Sequence, residues 1–228
     1  MSGRRQDRGF TLIELLVVII IVVVLAAILF PVFIAARAKA QAAACLAYCR
    51  QGGLALQNYM SDYSDTIPAY LPNGTALWWD QLQPYMKSRR LWFCPSTEPA
   101  TGMYGSDRRR WIAYDDLRKN YEGSYCINGW LYCDRWASVK IWKIPMKLSQ
   151  VPHSSRTMAF SDGTWIDVWP QNAEGPDGWD NLRITIKRHN GGINMVFVGG
   201  NATWIARNQL TIPDPTKRRI DYNPHTGD

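Results

Sequence analysis

The feature that most constrains this chain is an apolar run at residues 10–33, in which Glu14 is the one ionisable side chain. A helix rises about 1.5 Å per residue, so about 20 such residues cross the hydrocarbon core of a bilayer. The short segment before the run carries three arginines, which favour a cytoplasmic N terminus. The sequence therefore predicts one membrane-spanning helix, followed by a large domain on the other side of the membrane.

Two simpler interpretations of this run leave residues unexplained. A secretory signal peptide has a shorter apolar region and a small-residue cleavage site just beyond it. Ala36-Arg37-Ala38 resembles such a site, but the apolar run is too long and its helical pattern continues through these residues. A plain membrane anchor fits the length but gives Glu14 no role, although a carboxylate within a span costs about 2.5–3.5 kcal/mol on insertion scales.

The residues around Glu14 carry a family resemblance. The stretch Gly9-Phe10-Thr11-Leu12-Ile13-Glu14 follows a short basic leader and resembles the processing site of type IV prepilins and type II secretion pseudopilins. The resemblance implies that prepilin peptidase cleaves between Gly9 and Phe10 and that Phe10 is then N-methylated. The new ammonium group at Phe10 would pair with Glu14, within one chain or between neighbours, and fix the register of assembly. Pro31 matches a position where pilin helices often carry a kink or a melted turn.

The helix is predicted to continue beyond the membrane until Asp65 and Pro68 end it. Its second half carries an apolar stripe that would cover a soluble core. Gly52 and Gly53 each weaken such a helix by about 1 kcal/mol relative to alanine, and a neighbour packed closely against the backbone would explain the pair. The stripe consists of Ala42, Cys45, Leu46, Cys49, Gly53, Leu56, Met60 and Tyr63.

Beyond the helix, residues 67–148 are predicted to be rich in loops, with a short helix around residues 78–86. Residues 157–161 have the pattern of a strand that is closed by a turn at Asp162-Gly163. Farther on, two Asn/Gly turns separate three alternating runs and predict a three-stranded antiparallel meander packed on the long helix. The runs are residues 183–189, 193–198 and 202–207, and the turns are residues 190–192 and 199–201.

The predicted fold class is α+β with a type IV pilin-like layout, in which a long N-terminal helix packs on a C-terminal antiparallel sheet beside a loop-rich region. The pattern and the resemblance together divide the chain into five segments. The resemblance implies a basic leader that is cleaved and a helix that lies in the membrane or the filament core. The pattern adds the soluble half of that helix, a globular domain and a polar tail predicted to be loosely ordered. These segments are residues 1–9, 10–33, 34–65, 66–212 and 213–228.

Several further blocks resemble one subfamily of prepilin-like proteins, the H-X9-DG group, also called DUF1559. The motif that names this group is a histidine, nine residues and then Asp-Gly. Here His189 is followed, after nine residues, by Gly199-Gly200. The aspartate is missing, so the resemblance assigns no partner to His189. The matching blocks are residues 49–59, 79–85, 93–96, 124–130 and 188–194.

Five cysteines in an exported domain suggest disulfides, but their number is odd. Cys45 and Cys49 lie one helical turn apart, a geometry poorly suited to a bond between them. Cys126 with Cys133 is one possible pair, Cys94 with either of them is another, and free buried thiols are the alternative. The spacing differs from that of paired CxxC zinc sites. No metal site and no cofactor is predicted.

The remaining features exclude other classes of protein. The three histidines have no nucleophile motif near them, so the chain is not expected to be an enzyme. The acidic residues Glu174, Asp177 and Asp180 are read as a solvated loop, and a calcium site with oxygen ligands, of the kind that some pseudopilins hold in this region, is the alternative. The net charge of +7 is not gathered into a basic stripe, and residues 108–110 are read as a solvated loop, so no nucleic acid is expected as a partner.

The sequence thus predicts a structural subunit of a type IV pilus-like or type II secretion pseudopilus-like filament. The expected partners are other pilin-like subunits, the prepilin peptidase, the inner-membrane assembly machinery and membrane lipid. The expected location is the bacterial inner membrane, with a single span, and then an extracytoplasmic or cell-surface filament. The alternative is a minor pseudopilin, or a membrane-anchored module whose tryptophan-rich face binds protein or polysaccharide.

Overall fold

The computed structural model describes residues 10–69, 77–106, 108–114, 120–131, 145–168, 188–210 and 220–221. The chain divides into two compact units, residues 1–40 and 41–228. Helix α1 (Leu12–Asp62) begins in the first unit and ends in the second. Together with the antiparallel sheets that follow, it gives the predicted α+β class, with a layout consistent with a pilin-like fold.

The described part of the first unit consists of the apolar beginning of α1. Every residue from 10 to 40 is exposed. By length and composition α1 can cross a membrane, and it is the one helix among the described residues that can. Helix α1 continues through Pro31 without a melted turn. An apolar surface of this extent requires lipid or other apolar helices to cover it.

The second unit begins with the remainder of α1, which ends close to the predicted position. Ser64 and Asp65 follow it with positive φ angles of 53° and 60°, a left-handed backbone that terminates helices. Most of the predicted stripe is buried, but Tyr63 at its end is 55% exposed. The buried residues of α1 are Cys45, Cys49, Gly52, Gly53, Ala55, Leu56, Tyr59 and Met60.

Gly52 and Gly53 lie where the sheet approaches α1 most closely. A Cβ atom on Gly52 would lie 2.7 Å from Cζ of Phe160, and one on Gly53 would overlap the backbone carbonyl of Gly200. Gly200 itself has a φ of +84°, as its turn requires. The predicted close neighbour of the glycine pair is therefore confirmed. It is the sheet at Phe160 and the turn at Gly200.

The main sheet has five strands in the order β5-β3-β4-β6-β7, and a separate pair is formed by β1 and β2. All pairs are antiparallel except β3 with β5. The strands are β1 (Trp111–Tyr114), β2 (Asn120–Gly123), β3 (Tyr125–Asn128), β4 (Met158–Asp162), β5 (Asp167–Val168), β6 (Gly192–Phe197) and β7 (Ala202–Ala206), and a short helix α3 (Arg207–Leu210) follows β7.

The predicted hairpin of β6 and β7 is confirmed, and Ile193 lies opposite Ile205 in it. The predicted three-stranded meander is wrong, because the other edge of β6 pairs with β4. Both edges of β6 are thus occupied, one by β7 and the other by β4. Residues 183–187 lie outside the described residues, and Arg188 and His189 belong to a turn.

Tryptophans fill the core between α1, the sheet and the loop-rich region. The predicted short helix is present as α2 (Trp78–Leu82), followed by a 3₁₀ turn at Gln83–Tyr85. The ring of Trp78 lies 5.2 Å from that of Phe160, and the ring of Trp79 stacks on that of Trp111 at 4.9 Å. Tilted and stacked ring contacts of this kind add to the stabilisation from burial.

The polar tail is anchored at one point, which corrects the prediction of a loosely ordered segment. Ile220 and Asp221 are buried. Asp221 pairs with Thr157 through a β-bridge and accepts a hydrogen bond of 2.7 Å from Nε of Arg156. The rest of the tail lies outside the described residues.

Candidate functional sites

The first site is the beginning of α1, where Thr11 and Glu14 form a reciprocal cap. The backbone N–H and the hydroxyl of Thr11 donate to Oε2 of Glu14 at 2.9 and 2.7 Å. The backbone N–H of Glu14 lies 3.2 Å from the Thr11 hydroxyl oxygen, which accepts from it. This is a capping box, which satisfies N–H groups that have no partner in the first turn of a helix.

The capping box gives Glu14 a local role that the sequence analysis missed. The sequence signal for this cap was the Thr-x-x-Glu spacing at the beginning of the apolar run. In the structure Glu14 contacts Thr11 rather than Phe10, and its Oε1 has no hydrogen bond within the described residues. Phe10 precedes the helix and is 78% exposed. Gly9 lies outside the described residues.

The second site is a buried cluster of four side chains, Cys45, Cys94, Asp162 and His189. Each comes from a different part of the second unit: the middle of α1, the chain after the 3₁₀ turn at Arg89–Trp92, the end of β4, and the turn before β6. Cys45, Cys94 and Asp162 are fully buried, and His189 is 2% exposed. One ligand atom from each lies within 4.8 Å of all the others.

The shortest distances link the four side chains in the order Cys94, His189, Asp162 and Cys45. Nε2 of His189 lies 3.4 Å from Oδ2 of Asp162 and 3.3 Å from Sγ of Cys94. Sγ of Cys45 lies 3.6 Å from Oδ1 of Asp162. The hydroxyl of Tyr125 lies 3.2 Å from Sγ of Cys45.

Asp162 is held by groups outside the cluster. The backbone N–H of Asn194 on β6 donates to Oδ2 at 2.8 Å. Nη1 of Arg188 lies 3.6 Å from Oδ1, and both of these side chains are fully buried. The Arg188 guanidinium is fixed in turn by backbone carbonyls, those of Ser106, Ser124 and Gly163.

These contacts set the protonation of the cluster. Burial opposes the charge on Asp162, but the hydrogen bond and charge of His189 and the charge of Arg188 hold its pKa below the ordinary value. Burial also opposes an imidazolium at His189, yet the contacts with Asp162 and Cys94 raise its pKa to about 9. Burial raises the pKa values of the Cys45 and Cys94 thiols. At neutral pH the cluster therefore holds a carboxylate, an imidazolium and two neutral thiols.

The cluster lacks the arrangement of a cysteine nucleophile with its base. In such a triad one ring nitrogen of histidine faces the nucleophile and the other is oriented by a carboxylate. Here Nε2 of His189 faces both Cys94 and Asp162, and Nδ1 has no hydrogen-bond partner within the described residues. Catalytic thiols also need exposure and a lowered pKa. The donor set instead resembles that of a metal centre.

The structure gives His189 a carboxylate partner, although the aspartate of the H-X9-DG motif is absent from the sequence. Its carboxylate partner is Asp162, which the sequence analysis had read as part of a strand-closing turn. The available sequence signal for this role of Asp162 was its position, as a carboxylate at the end of an otherwise uncharged strand. In the structure every residue of that strand, 158–162, is buried. Cys45 had been read only as a member of the apolar stripe.

The predicted disulfides are corrected in part. Cys94 carries a free thiol in the structure, so it forms no disulfide with Cys126. Cys45 and Cys49 are free thiols as well. Cys133 lies outside the described residues, and its predicted pairing with Cys126 stays a prediction. The acidic loop at Glu174 also falls outside them.

Comparison with known proteins bears on the first site. A model of the prokaryotic N-terminal methylation motif matches residues 4–30, which include residues 4–9 of the leader, the capping box and much of the apolar run. No curated protein and no solved structure matches the chain. The match supports a type IV prepilin-like protein, for which processing by prepilin peptidase and assembly with other pilins are implied. Together with α1 it suits a single-pass, membrane-anchored protein. The resemblance to the H-X9-DG group stays a prediction.

Proposed function

We propose that this chain is a structural subunit of a type IV pilus-like or type II secretion pseudopilus-like filament. The observation that carries the proposal is the coincidence of the methylation motif with a helix whose residues 10–40 are all exposed. Lipid would cover this surface in the inner membrane, with the N terminus in the cytoplasm, and neighbouring helices would cover it after assembly. The proposed partners are therefore pilin-like subunits, the peptidase and the assembly machinery.

The capping box supports a defined role for Glu14 in this assembly. Oε2 is held by Thr11, which fixes the rotamer of the carboxylate, and Oε1 has no partner within the described residues. Cleavage after Gly9 leaves the Thr11 amide intact, so the box survives processing. Oε1 is then available for the ammonium of Phe10 on a neighbouring subunit. A desolvated pair is costly to leave half-made and so specifies one register.

The structure favours this proposal over a displayed binding module. Among the described tryptophans, Trp78, Trp79, Trp92 and Trp111 are buried, Trp130 and Trp165 are partly buried, and Trp204 is exposed, at 41%. A tryptophan-rich binding face is therefore not formed by this part of the chain.

The test is the intact mass and the N-terminal peptide of the protein from native membranes and from sheared surface filaments. The proposal expects a chain that begins at methylated Phe10 in both fractions. A Gly9→Val variant should remain uncleaved in the membrane and be missing from filaments. A wild-type chain that begins at Met1 or Ser2 would contradict processing, and one that begins near Ala38 would indicate a signal peptide. A processed chain that never leaves the membrane would contradict filament assembly alone.

A further inference from the structure

We propose that the buried cluster is a structural zinc site whose ligands are Sγ of Cys45, Sγ of Cys94, Nε2 of His189 and one carboxylate oxygen of Asp162. The proposal is independent of the filament role, because every ligand lies in the second unit and the methylation motif lies in the first.

The distances in the cluster fit a tetrahedral zinc ion. With bonds of about 2.3 Å to sulfur and about 2.0–2.2 Å to nitrogen and oxygen, neighbouring ligand atoms lie about 3.4–3.8 Å apart. The separations are 3.3 Å from Sγ of Cys94 to Nε2 of His189, 3.4 Å from that nitrogen to Oδ2 of Asp162, and 3.6 Å from Sγ of Cys45 to Oδ1 of Asp162. All four ligand atoms lie within 4.8 Å of one another, so a small adjustment of the side chains brings them to the spacing of a zinc site.

The donor chemistry selects among metals. Calcium and magnesium prefer oxygen ligands throughout. Two sulfurs, one imidazole nitrogen and one carboxylate oxygen suit zinc, which accepts all three ligand types in four-coordinate sites. All four residues are buried. Such a closed set leaves no open position for water, which indicates a structural site rather than a catalytic one.

The charges also balance once the ion is bound. Zinc binding deprotonates cysteine thiols and takes neutral histidine. Two thiolates and the Asp162 carboxylate then carry three negative charges, which match Zn²⁺ together with the buried guanidinium of Arg188. The buried group as a whole becomes neutral, which removes much of the cost of burying charge. Arg188 thus has a reason to lie fully buried beside the cluster.

The neighbours of the four ligands would hold them in place. The hydroxyl of Tyr125 lies within reach of Sγ of Cys45, where it can donate to a thiolate. Arg188 and the backbone N–H of Asn194 fix the two oxygens of Asp162. Outer partners of this kind orient metal ligands, and their loss typically lowers metal affinity about 10–100-fold.

The experiment uses the full-length chain, purified in detergent under reducing conditions. Its zinc content is measured by elemental mass spectrometry. Cys45→Ser and Cys94→Ser remove proposed ligands. Cys126→Ser is the matched control, because Cys126 is equally buried but lies outside the cluster. The proposal expects about one zinc per chain in wild type and in the control. It expects the zinc content of both ligand variants to fall severalfold. Zinc should raise the Tm of wild type and of the control, and should leave the Tm of the two ligand variants nearly unchanged.

Replacement of zinc by Co²⁺ gives a second measurement that needs no variant. A tetrahedral site with two thiolates should show strong visible d–d bands and thiolate-to-cobalt charge transfer, so the test stands even if both serine variants fail to fold. Three results would overturn the proposal: reduced, folded wild type that takes up no zinc or cobalt, a cobalt spectrum without thiolate bands, or a Cys45–Cys94 disulfide in protein from native membranes. The last result would make the cluster a redox pair.

Discussion

Oδ2 of Asp162 lies 3.4 Å from Nε2 of His189, and both side chains are buried between α1 and the sheet. Asp162 ends β4, and His189 precedes β6, the strand that pairs with β4. The pairing thus runs between adjacent strands and not along the β6–β7 hairpin. It joins two parts of the chain that no local sequence pattern connects.

Asp162→Asn should destabilise the second unit by about 3–5 kcal/mol, because the charges of Arg188 and His189 would lose their buried counter-charge. The measurement is chemical denaturation of the full-length chain in detergent, with reductant and a chelator present. Asp65→Asn is the matched control, since Asp65 is exposed and its left-handed backbone suits asparagine. The control should stay within about 0.5 kcal/mol of wild type. Equal unfolding free energies for the two variants would refute the structural role of Asp162.

Gly53→Ala should lower the free energy of unfolding by about 1–3 kcal/mol, although alanine is the better helix former. The added methyl group would overlap the carbonyl of Gly200, a backbone atom that cannot rotate away. Gly102→Ala is the control, because a Cβ atom there meets no other atom within 4 Å. The same denaturation experiment checks both variants. A stabilised Gly53→Ala protein would show that α1 and the Gly200 turn do not approach this closely.

Glu14→Gln should be processed normally but enter filaments at least about tenfold less efficiently, since loss of a buried charge pair typically costs 2–5 kcal/mol. Glutamine can still accept from Thr11, so the beginning of α1 is retained while the charge is removed. Quantitative immunoblots of membrane and sheared-filament fractions give the ratio. Glu98→Gln, at an exposed position in the second unit, should assemble like wild type. Normal assembly of Glu14→Gln would exclude the proposed charge pair.

Asp62→Asn should lower the pKa of Tyr85 from about 12 toward its ordinary value near 10. The cause is the 2.6 Å hydrogen bond that the Tyr85 hydroxyl donates to Oδ2 of Asp62, which favours the neutral phenol. Because the pKa of Tyr85 is raised in the folded state, this hydrogen bond stabilises the fold below pH 10. The stabilisation disappears as the pH rises through about 12. NMR titration of ring-labelled tyrosine measures the shift. As the control, Asp65→Asn should leave the Tyr85 titration unchanged. An unchanged Tyr85 pKa in the Asp62→Asn variant would contradict the contact.

Elements with strong local signals could be predicted from the sequence. The apolar run and the stripe that follows it gave α1, and the Gly199-Gly200-Asn201 turn gave the β6–β7 hairpin. The glycine pair in α1 correctly indicated a close neighbour. That this neighbour consists of Phe160 and the Gly200 turn is set by tertiary packing and could not be read from the sequence. Periodicity shows which face of an element is buried and does not show what covers it.

Sheet order and the buried cluster could not be predicted for the same reason. The insertion of β4 beside β6 depends on packing between distant segments, so a run of alternating residues before β6 was mistaken for its neighbour. Cys45 fits an apolar stripe as well as leucine would, because cysteine behaves as a small hydrophobe when buried. The charge on Asp162 was the one anomaly in its strand, and it was attributed to a turn.

The spread of the cluster along the chain has a consequence for the order of folding. Its members run from Cys45 on α1 to His189, just ahead of the last two strands. Contacts between such distant segments form late, after the loops between them have closed. Under the export that the proposed function implies, the thiols of Cys45 and Cys94 would face an oxidising compartment without the protection of burial until β6 joins β4. The interval before the sheet closes would then be the period in which the domain is most vulnerable to mispaired cysteines.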